Sequence, residues 1–272
     1  MMLRFLYNSI PGRILLKFLA SRPLSNICGA FLDTRLSAGL IPGFVRRNHI
    51  DLSEYAAGPY KSFNAFFTRR IRKGRRPIDS HPDHLISPCD GLLSVYQITD
   101  RLVLPVKQSH YTIDALLQNK KLAKKYQNGI CLVFRLCVDH YHRYCYLDDC
   151  NKGGNTFIPG KLHTVRPVAL ETLPVFTQNC REYTVMKTAN FGTVTQIEVG
   201  AMLVGKIKNH HQSRRCLRGE EKGMFLYGGS TIIVLLEKDK AKIDACFLKA
   251  SARGLESPVK MGEKLGTAIK NC

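Results

Sequence analysis

Three short clusters in the 272-residue sequence carry side chains capable of covalent chemistry. In FLYGGSTIIVLLEK, residues 225–238, two glycines precede Ser230 and Thr231 at the head of a β-branched run with the character of a buried strand. Gly228–Gly229 fits an ordinary tight turn, because glycine takes positive φ without steric cost. It equally fits a place where an attacking group must come close to the Gly229 carbonyl. In SPCDG, Asp90 stands in a turn between two strand-like runs, and Asp-Gly alone is common hairpin punctuation. In DHYHRYC, His140 and His142 follow the GICLVFRLCV run and would share one face of an extended chain. They suit either a general base or a metal site. Zinc would want four N or S ligands, and the candidates are His140, His142, Cys145 and Cys150. No other pairing in the chain reinforces that set, so the reading carries no metal.

The elements that must position these groups divide at Pro77. Residues 1–80 read as a helical, basic, membrane-facing region, and residues 81–272 as a β-rich catalytic domain. The helical part begins with MMLRFLYNSIPGRILLKFLAS, where Ile14, Leu15, Phe18 and Leu19 recur at helical spacing beside Arg13 and Lys17. A second helix is expected around Leu24–Leu40. A third covers YKSFNAFFTRRIRKGRR, with Phe63, Phe66, Phe67 and Ile71 on one face. After Pro77, runs such as LISPCDGLLSVYQI and GTVTQIEVGAMLVGKI read as strands bounded by Gly, Pro and Asp. One helix, TIDALLQNKKLAKKY, interrupts them, with Thr112 as its cap. The expected class is α+β: a helical N-terminal portion packed on a mostly antiparallel β domain.

Taken together and in order, FNAFFTRRIRKGRRPID, SPCDG, HYHRY, IPGKLHTV, IEVGAMLVGKI, RGEEKGMFLYGGST and VKMGEKLG resemble the phosphatidylserine decarboxylase family over nearly the whole chain. The resemblance implies a self-processing, membrane-associated enzyme with a self-derived pyruvoyl group as its cofactor. The family's Gly-Ser-Thr cleavage motif falls on Gly229-Ser230-Thr231. Ser230 would attack the Gly229 carbonyl, with His142 as base and Asp90 orienting it, in the manner of a Ser-His-Asp triad. Cleavage would give a β chain, 1–229, and an α chain, 230–272, the latter beginning with a ketone able to condense with the headgroup amine. Carbon dioxide loss would convert phosphatidylserine to phosphatidylethanolamine, a step of phospholipid biosynthesis, with His142 also serving as general acid. The two chains would stay together as a heterodimer, open to further dimerisation. The sequence departs from the family where a second histidine commonly stands, because Cys145 occupies that place.

Forty-one Lys and Arg against 21 Asp and Glu give a net charge of +20, which calls for a polyanionic partner. Phosphatidylserine in an anionic leaflet supplies one. The expected partner is therefore an anionic phospholipid surface and not nucleic acid, and the expected location is peripheral, on the cytoplasmic side of the cell membrane. Phe66, Phe67 and the first helix would supply the apolar insertion. Ten cysteines without a CxxC pair, several inside apolar runs, read as reduced core residues. His163 reads as a strand histidine with a structural partner, His210 and His211 as surface residues, and Glu220 and Glu221 as solvated or salt-bridged. Two rivals stand beside this reading. A pyruvoyl enzyme for a soluble amino acid would share the cleavage but not the lipid-seeking N-terminus, and a basic nucleic-acid-binding module would use Gly-Gly-Ser-Thr only as a turn.

Overall fold

The run expected to be a buried strand pairs on both sides. The structure, a computed structural model, describes residues 2–99, 112–165, 167–170, 172–201, 206–227 and 230–270. Its first strands are β1 (His84–Ile86), β2 (Gly91–Gln97), β3 (Ile130–Leu136), β4 (Arg143–Cys145), β5 (Cys150–Ile158), β6 (Arg181–Thr188) and β7 (Thr193–Val199). Then follow β8 (Ile207–Asn209), β9 (Arg214–Cys216), β10 (Glu221–Phe225), β11 (Ser230–Leu236), β12 (Ala241–Ile243), β13 (Ser257–Val259) and β14 (Lys264–Ala268). An eight-stranded sheet runs β13-β2-β3-β11-β7-β6-β5-β9, with three-stranded sheets β4-β10-β8 and β1-β14-β12 beside it. The ladders flanking β11 are antiparallel, which accords with the expected α+β class.

All seven residues of β11 are buried, so this strand is covered on both faces. Alternation sends Ile233 and Leu235 to one core, shared with Cys131, Val133 and Ile197. Ser230, Ile232 and Val234 point to the other face, where Ile232 and Val234 meet Phe134, Leu136, Tyr144 and Phe225. Each buried aliphatic side chain here contributes about 1.5–3 kcal/mol of transfer free energy.

The N-terminal helices are α1 (Met2–Asn8), α2 (Ile10–Leu19), α3 (Arg22–Leu32), α4 (Ile41–Arg47) and α5 (Phe63–Phe67), with a 3-10 turn over Arg35–Leu40. Ser9 caps α2 by accepting the Gly12 N–H. Leu6, Tyr7 and Leu16 enter the same core as Ile197 and Ile233, so the helical region packs directly on the large sheet. The helix expected at TIDALLQNKKLAKKY is present but broken. Thr112 caps α6 (Ile113–Leu117) as expected, but Gln118 takes a left-handed φ of 49° before α7 (Lys120–Ala123) begins.

The third expected helix is corrected most. Only Phe63–Phe67 is helical, and Thr68 ends it. Beyond it the basic run is extended against residues 54–56: Ile71 bridges Tyr55, Ala56 N–H donates to Arg70 O, and Arg72 N–H donates to Glu54 O. Phe66 and Phe67 are fully buried, so neither can enter a bilayer. Arg69 is buried too, stacked 4.0 Å from the Tyr55 ring and donating to Asp139 O. Part of the basic run is therefore internal framework, because buried carbonyls, rings and carboxylates satisfy its guanidinium groups better than continued helix would.

Candidate active site

Ser230 begins β11 with no solvent exposure, and its Oγ has no hydrogen-bond partner among the described residues; the same is true of Thr231 Oγ1. Burying a hydroxyl without a partner costs about 1–3 kcal/mol, and the Oγ is left free to take a new partner or to react. Gly228 and Gly229, the other half of the expected scissile bond, lie outside the described residues.

Two ties hold the segment before Ser230 alongside the segment carrying the histidines. Ser230 pairs with Leu136 at the end of β3, and Phe225 N–H donates to His142 O at 2.9 Å. Phe67 fills the space between, its ring 4.0 Å from the His142 ring and 5.2 Å from that of Tyr227. Arg143, next to His142, is locked by donating Nε–H to Thr68 O and Nη1–H to Glu221.

His142 is wholly buried and its protonation is defined by its partners. Nδ1 donates to His140 O at 2.9 Å, which leaves Nε2 as a lone pair with no partner among the described residues. Burial, with the nearby Arg69 charge adding to it, holds the imidazole well below its ordinary value of 6.5, so it is neutral and basic at Nε2. His140 accepts the Cys137 N–H at its Nδ1 and so carries its own proton on Nε2. Burial lowers its pKa, while the carboxylates of Asp139 and Asp90 pull it the other way.

Asp90 does not make the expected hydrogen bond to His142. Its carboxylate takes a two-pronged bond from Arg76, at 2.8 and 2.6 Å, and accepts the Met261 N–H at 2.9 Å. Arg76 also donates to Glu54. The physical reason is the buried guanidinium delivered by the extended basic run, a stronger and geometrically matched partner for a carboxylate. Asp90 shares a cavity of about 910 Å³ with His140, and its charge is felt there. Cys145, standing where the family often has histidine, packs in the core with its thiol pushed up to about 12 by burial. It is neither base nor nucleophile in this setting.

The four-ligand zinc set is not brought together. Among the described residues the cluster with ligand-like spacing is Cys137, Asp139 and His140, whose ligand atoms lie within 4.8 Å of one another. Cys145 and Cys150 are instead part of the apolar core. His163 lies in a loop and not in a strand, facing the Tyr7 hydroxyl at 3.5 Å. Glu220 and Glu221 are salt-bridged as expected, the latter to Arg143 and His210.

One buried charge pair had no individual signal in the sequence. Lys222 Nζ lies 2.7 Å from Glu198 and also donates to Asn209, and both charged side chains have no exposure. Glu198 lies across the ladder from Ile232 and therefore on the same face as Ser230. Burial pushes the Glu198 carboxyl up, and the Lys222 ammonium pulls it back. Lys222→Met is expected to leave that carboxylate unpaired and to destabilise the fold by about 3–5 kcal/mol. Urea unfolding of Lys222→Met beside a Lys222→Met/Glu198→Leu double variant measures this. The double variant should recover most of the loss, and a single-variant loss under about 1 kcal/mol would show that the pair is not internal framework.

An orphaned hydroxyl at the head of a doubly buried strand, tied to a segment carrying a neutral buried imidazole, gives this α+β fold the parts of an enzyme site built around a sequestered hydroxyl. Comparison with known proteins narrows the class. A family model described as phosphatidylserine decarboxylase matches residues 63–267. Phosphatidylserine decarboxylase proenzyme 2 of Clostridium acetobutylicum is 48% identical over 265 residues, 97% of this chain and 91% of that protein. A phosphatidylserine decarboxylase proenzyme of Clostridium botulinum type E3 is 38% identical over 273 residues, covering 98% and 92%. That of Clostridium tetani is 38% identical over 272 residues, covering 97% and 91%. The chain belongs to the phosphatidylserine decarboxylase family.

Proposed function

We propose that this chain is a self-cleaving proenzyme that decarboxylates phosphatidylserine to phosphatidylethanolamine in phospholipid biosynthesis. The observation that carries the reading is the pair of unpartnered buried atoms, Ser230 Oγ and His142 Nε2, on segments tied together at Phe225 and Leu136. The relatives' name, proenzyme, supports maturation from a longer precursor.

In processing, His142 Nε2 takes the Ser230 hydroxyl proton as Oγ bonds to the Gly229 carbonyl carbon. The Gly229–Ser230 C–N bond breaks, an ester replaces the amide, and the proton passes to the freed amine. Removal of the Ser230 α-proton then expels the Gly229 carboxylate from Cβ. Water releases ammonia from the remaining unsaturated residue and leaves a pyruvoyl group at position 230. The residues fit that group, since Ser230 is sealed from bulk water and its Oγ makes no competing bond. When present, the group supplies the electron sink that no ordinary side chain offers for carbon dioxide loss. His142 then holds the proton that returns to the substrate carbon. Asp90 acts at a distance, bracing the Arg76–Met261 frame and biasing His140, whose carbonyl orients His142.

The two products, 1–229 and 230–272, remain one heterodimer in this reading. The strand beginning at Ser230 is held by ladders to β3 and β7 and cannot leave without opening the sheet.

The enzyme is proposed to sit peripherally on the cytoplasmic side of the cell membrane. Among the described residues no helix is long and apolar enough to cross a bilayer. Yet Ile10, Phe18 and Ile27 are 75%, 68% and 67% exposed, with Ile14, Leu15 and Leu36 also open to solvent and Arg13, Lys17, Arg35, Arg46 and Arg47 among them. This face, and not Phe66 and Phe67, suits shallow insertion, with each basic residue near an anionic surface worth about 1 kcal/mol. The described cysteines are free thiols, in keeping with a reducing compartment. Flotation with phosphatidylserine-containing vesicles should carry the protein upward and weaken as salt rises. Phe18→Asp should weaken it further, and equal binding to neutral vesicles would refute the electrostatic part.

A further inference from the structure

We propose that α3 divides the substrate lipid, receiving the phosphodiester of a glycerophospholipid headgroup on its polar side and an acyl chain on its apolar side. This rests on the phospholipid substrate class proposed above.

Two cavities flank α3 and both reach Tyr227, three residues before Ser230. The polar one, about 410 Å³, is lined by Ser25, Asn26, Asp33, Asn64 and Lys206. Lys206 is its one basic side chain among the described residues. Ser25 is 4% exposed and its hydroxyl has no hydrogen-bond partner among the described residues, so a buried donor lines the same cavity as the Lys206 ammonium. Leaving that donor unpaired is costly unless a ligand oxygen completes it, and a phosphodiester offers two charged acceptors to the pair. Asp33, the carboxylate of the cavity, is occupied: Asn64 Nδ2 donates to it at 2.8 Å. Asn64 Oδ1 in turn accepts the Tyr227 N–H at 3.2 Å, which ties the cavity wall to the backbone leading to residue 230.

The second cavity, about 800 Å³, is lined by Ile27, Phe31, Leu40, Gly43, Phe44 and Tyr227. Ile27 and Phe31 belong both to this lining and to the exposed apolar face, so the cavity is continuous with the surface proposed to meet the bilayer. A lipid whose chain enters from that side places its phosphodiester across α3 and its headgroup towards residue 230. Each methylene buried on the way adds to the affinity. Head and chain thus bind on opposite sides of one helix, which matches the order of groups along the lipid.

The test uses two probes: dibutyryl phosphatidylserine as a soluble monomer and dioleoyl phosphatidylserine in vesicles. Lys206→Gln should raise KM for the soluble lipid about tenfold, more than it changes kcat, with Lys206→Arg restoring it. Ser25→Ala should raise KM in the same direction. At Gly43 an added Cβ meets nothing within 4 Å, so Gly43→Leu can extend into the apolar cavity without disturbing α4. It should lower the ratio of kcat/KM for dioleoyl over dibutyryl lipid about tenfold. Self-cleavage into two chains serves as the folding control for every variant. An active wild type whose Lys206→Gln variant keeps its KM overturns the headgroup assignment, and an unchanged chain-length ratio in Gly43→Leu overturns the acyl assignment. A wild type that cleaves itself yet decarboxylates neither lipid overturns the substrate class itself.

Discussion

Ser230→Ala is expected to leave a single intact chain of 272 residues with no decarboxylase activity, whereas the wild type resolves into fragments of 229 and 43 residues. The substitution removes only the Oγ, an atom with no hydrogen bond among the described residues, from a strand otherwise held by two ladders and a full apolar environment. Stability should therefore be retained or slightly raised, because an unpartnered buried hydroxyl is itself a cost of about 1–3 kcal/mol. Intact-mass analysis reads the outcome directly. The smaller wild-type fragment should lack a free amine and react with hydroxylamine, and activity should vanish with that reagent. An active wild-type preparation with an unbroken backbone would refute the covalent scheme at its first step.

His142→Ala is expected to slow self-cleavage by about a hundredfold to ten-thousandfold, the usual contribution of a positioned general base. The pH dependence distinguishes this base from a histidine of ordinary pKa. Because burial holds His142 well below 6.5, Nε2 is already deprotonated at neutral pH, and the cleavage rate should be flat from about pH 8 down to about pH 6. It falls only when the pH passes through the depressed folded value. A time course of freshly refolded protein, followed by intact mass, checks this, and an inflection at or above 6.5 would contradict a neutral buried base. Stability has the same sign. The unfolded imidazole binds a proton near 6.5 and the folded one does not, so this group's stabilisation is complete above that pH and is lost as the pH falls below it. His163, whose pKa burial lowers to about 4, adds a loss in the same direction.

The strand headed by Ser230 was legible because burial leaves local marks. Ser230 stood at the head of a run too apolar to be anything but a buried strand, and the structure buries all seven residues of β11. Thr112 was readable as a cap because capping is settled by one side chain and a backbone N–H three residues on. The α+β class followed from alternating runs between Gly, Pro and Asp, a pattern that pairing across strands preserves.

What misled was charge and aromatic content read without partners. Phe63, Phe66 and Phe67 at helical spacing suit a membrane face or a core equally well, and only packing against Phe44, Tyr60 and Tyr227 chose the core. The basic run read as a helix facing lipid, but Arg69 and Arg76 turn inward to Tyr55, Asp139, Asp90 and Glu54. Asp90 was expected to face His142 and instead binds Arg76, since a carboxylate's choice between an imidazole and a guanidinium 14 residues away depends on where the chain folds back. Lys222, Glu198, Ser25 and Lys206 carried no signal because each acquires meaning only from a neighbour distant in sequence.

By itself, then, the sequence settled the strand that begins at Ser230 and the class of fold, both of which depend on side-chain type and short-range periodicity. Tertiary structure alone decided which charges are internal, which nitrogen of His142 is free, and which apolar face remains exposed. Those outcomes are differences in solvation, and the water around a side chain is set by segments far away along the chain.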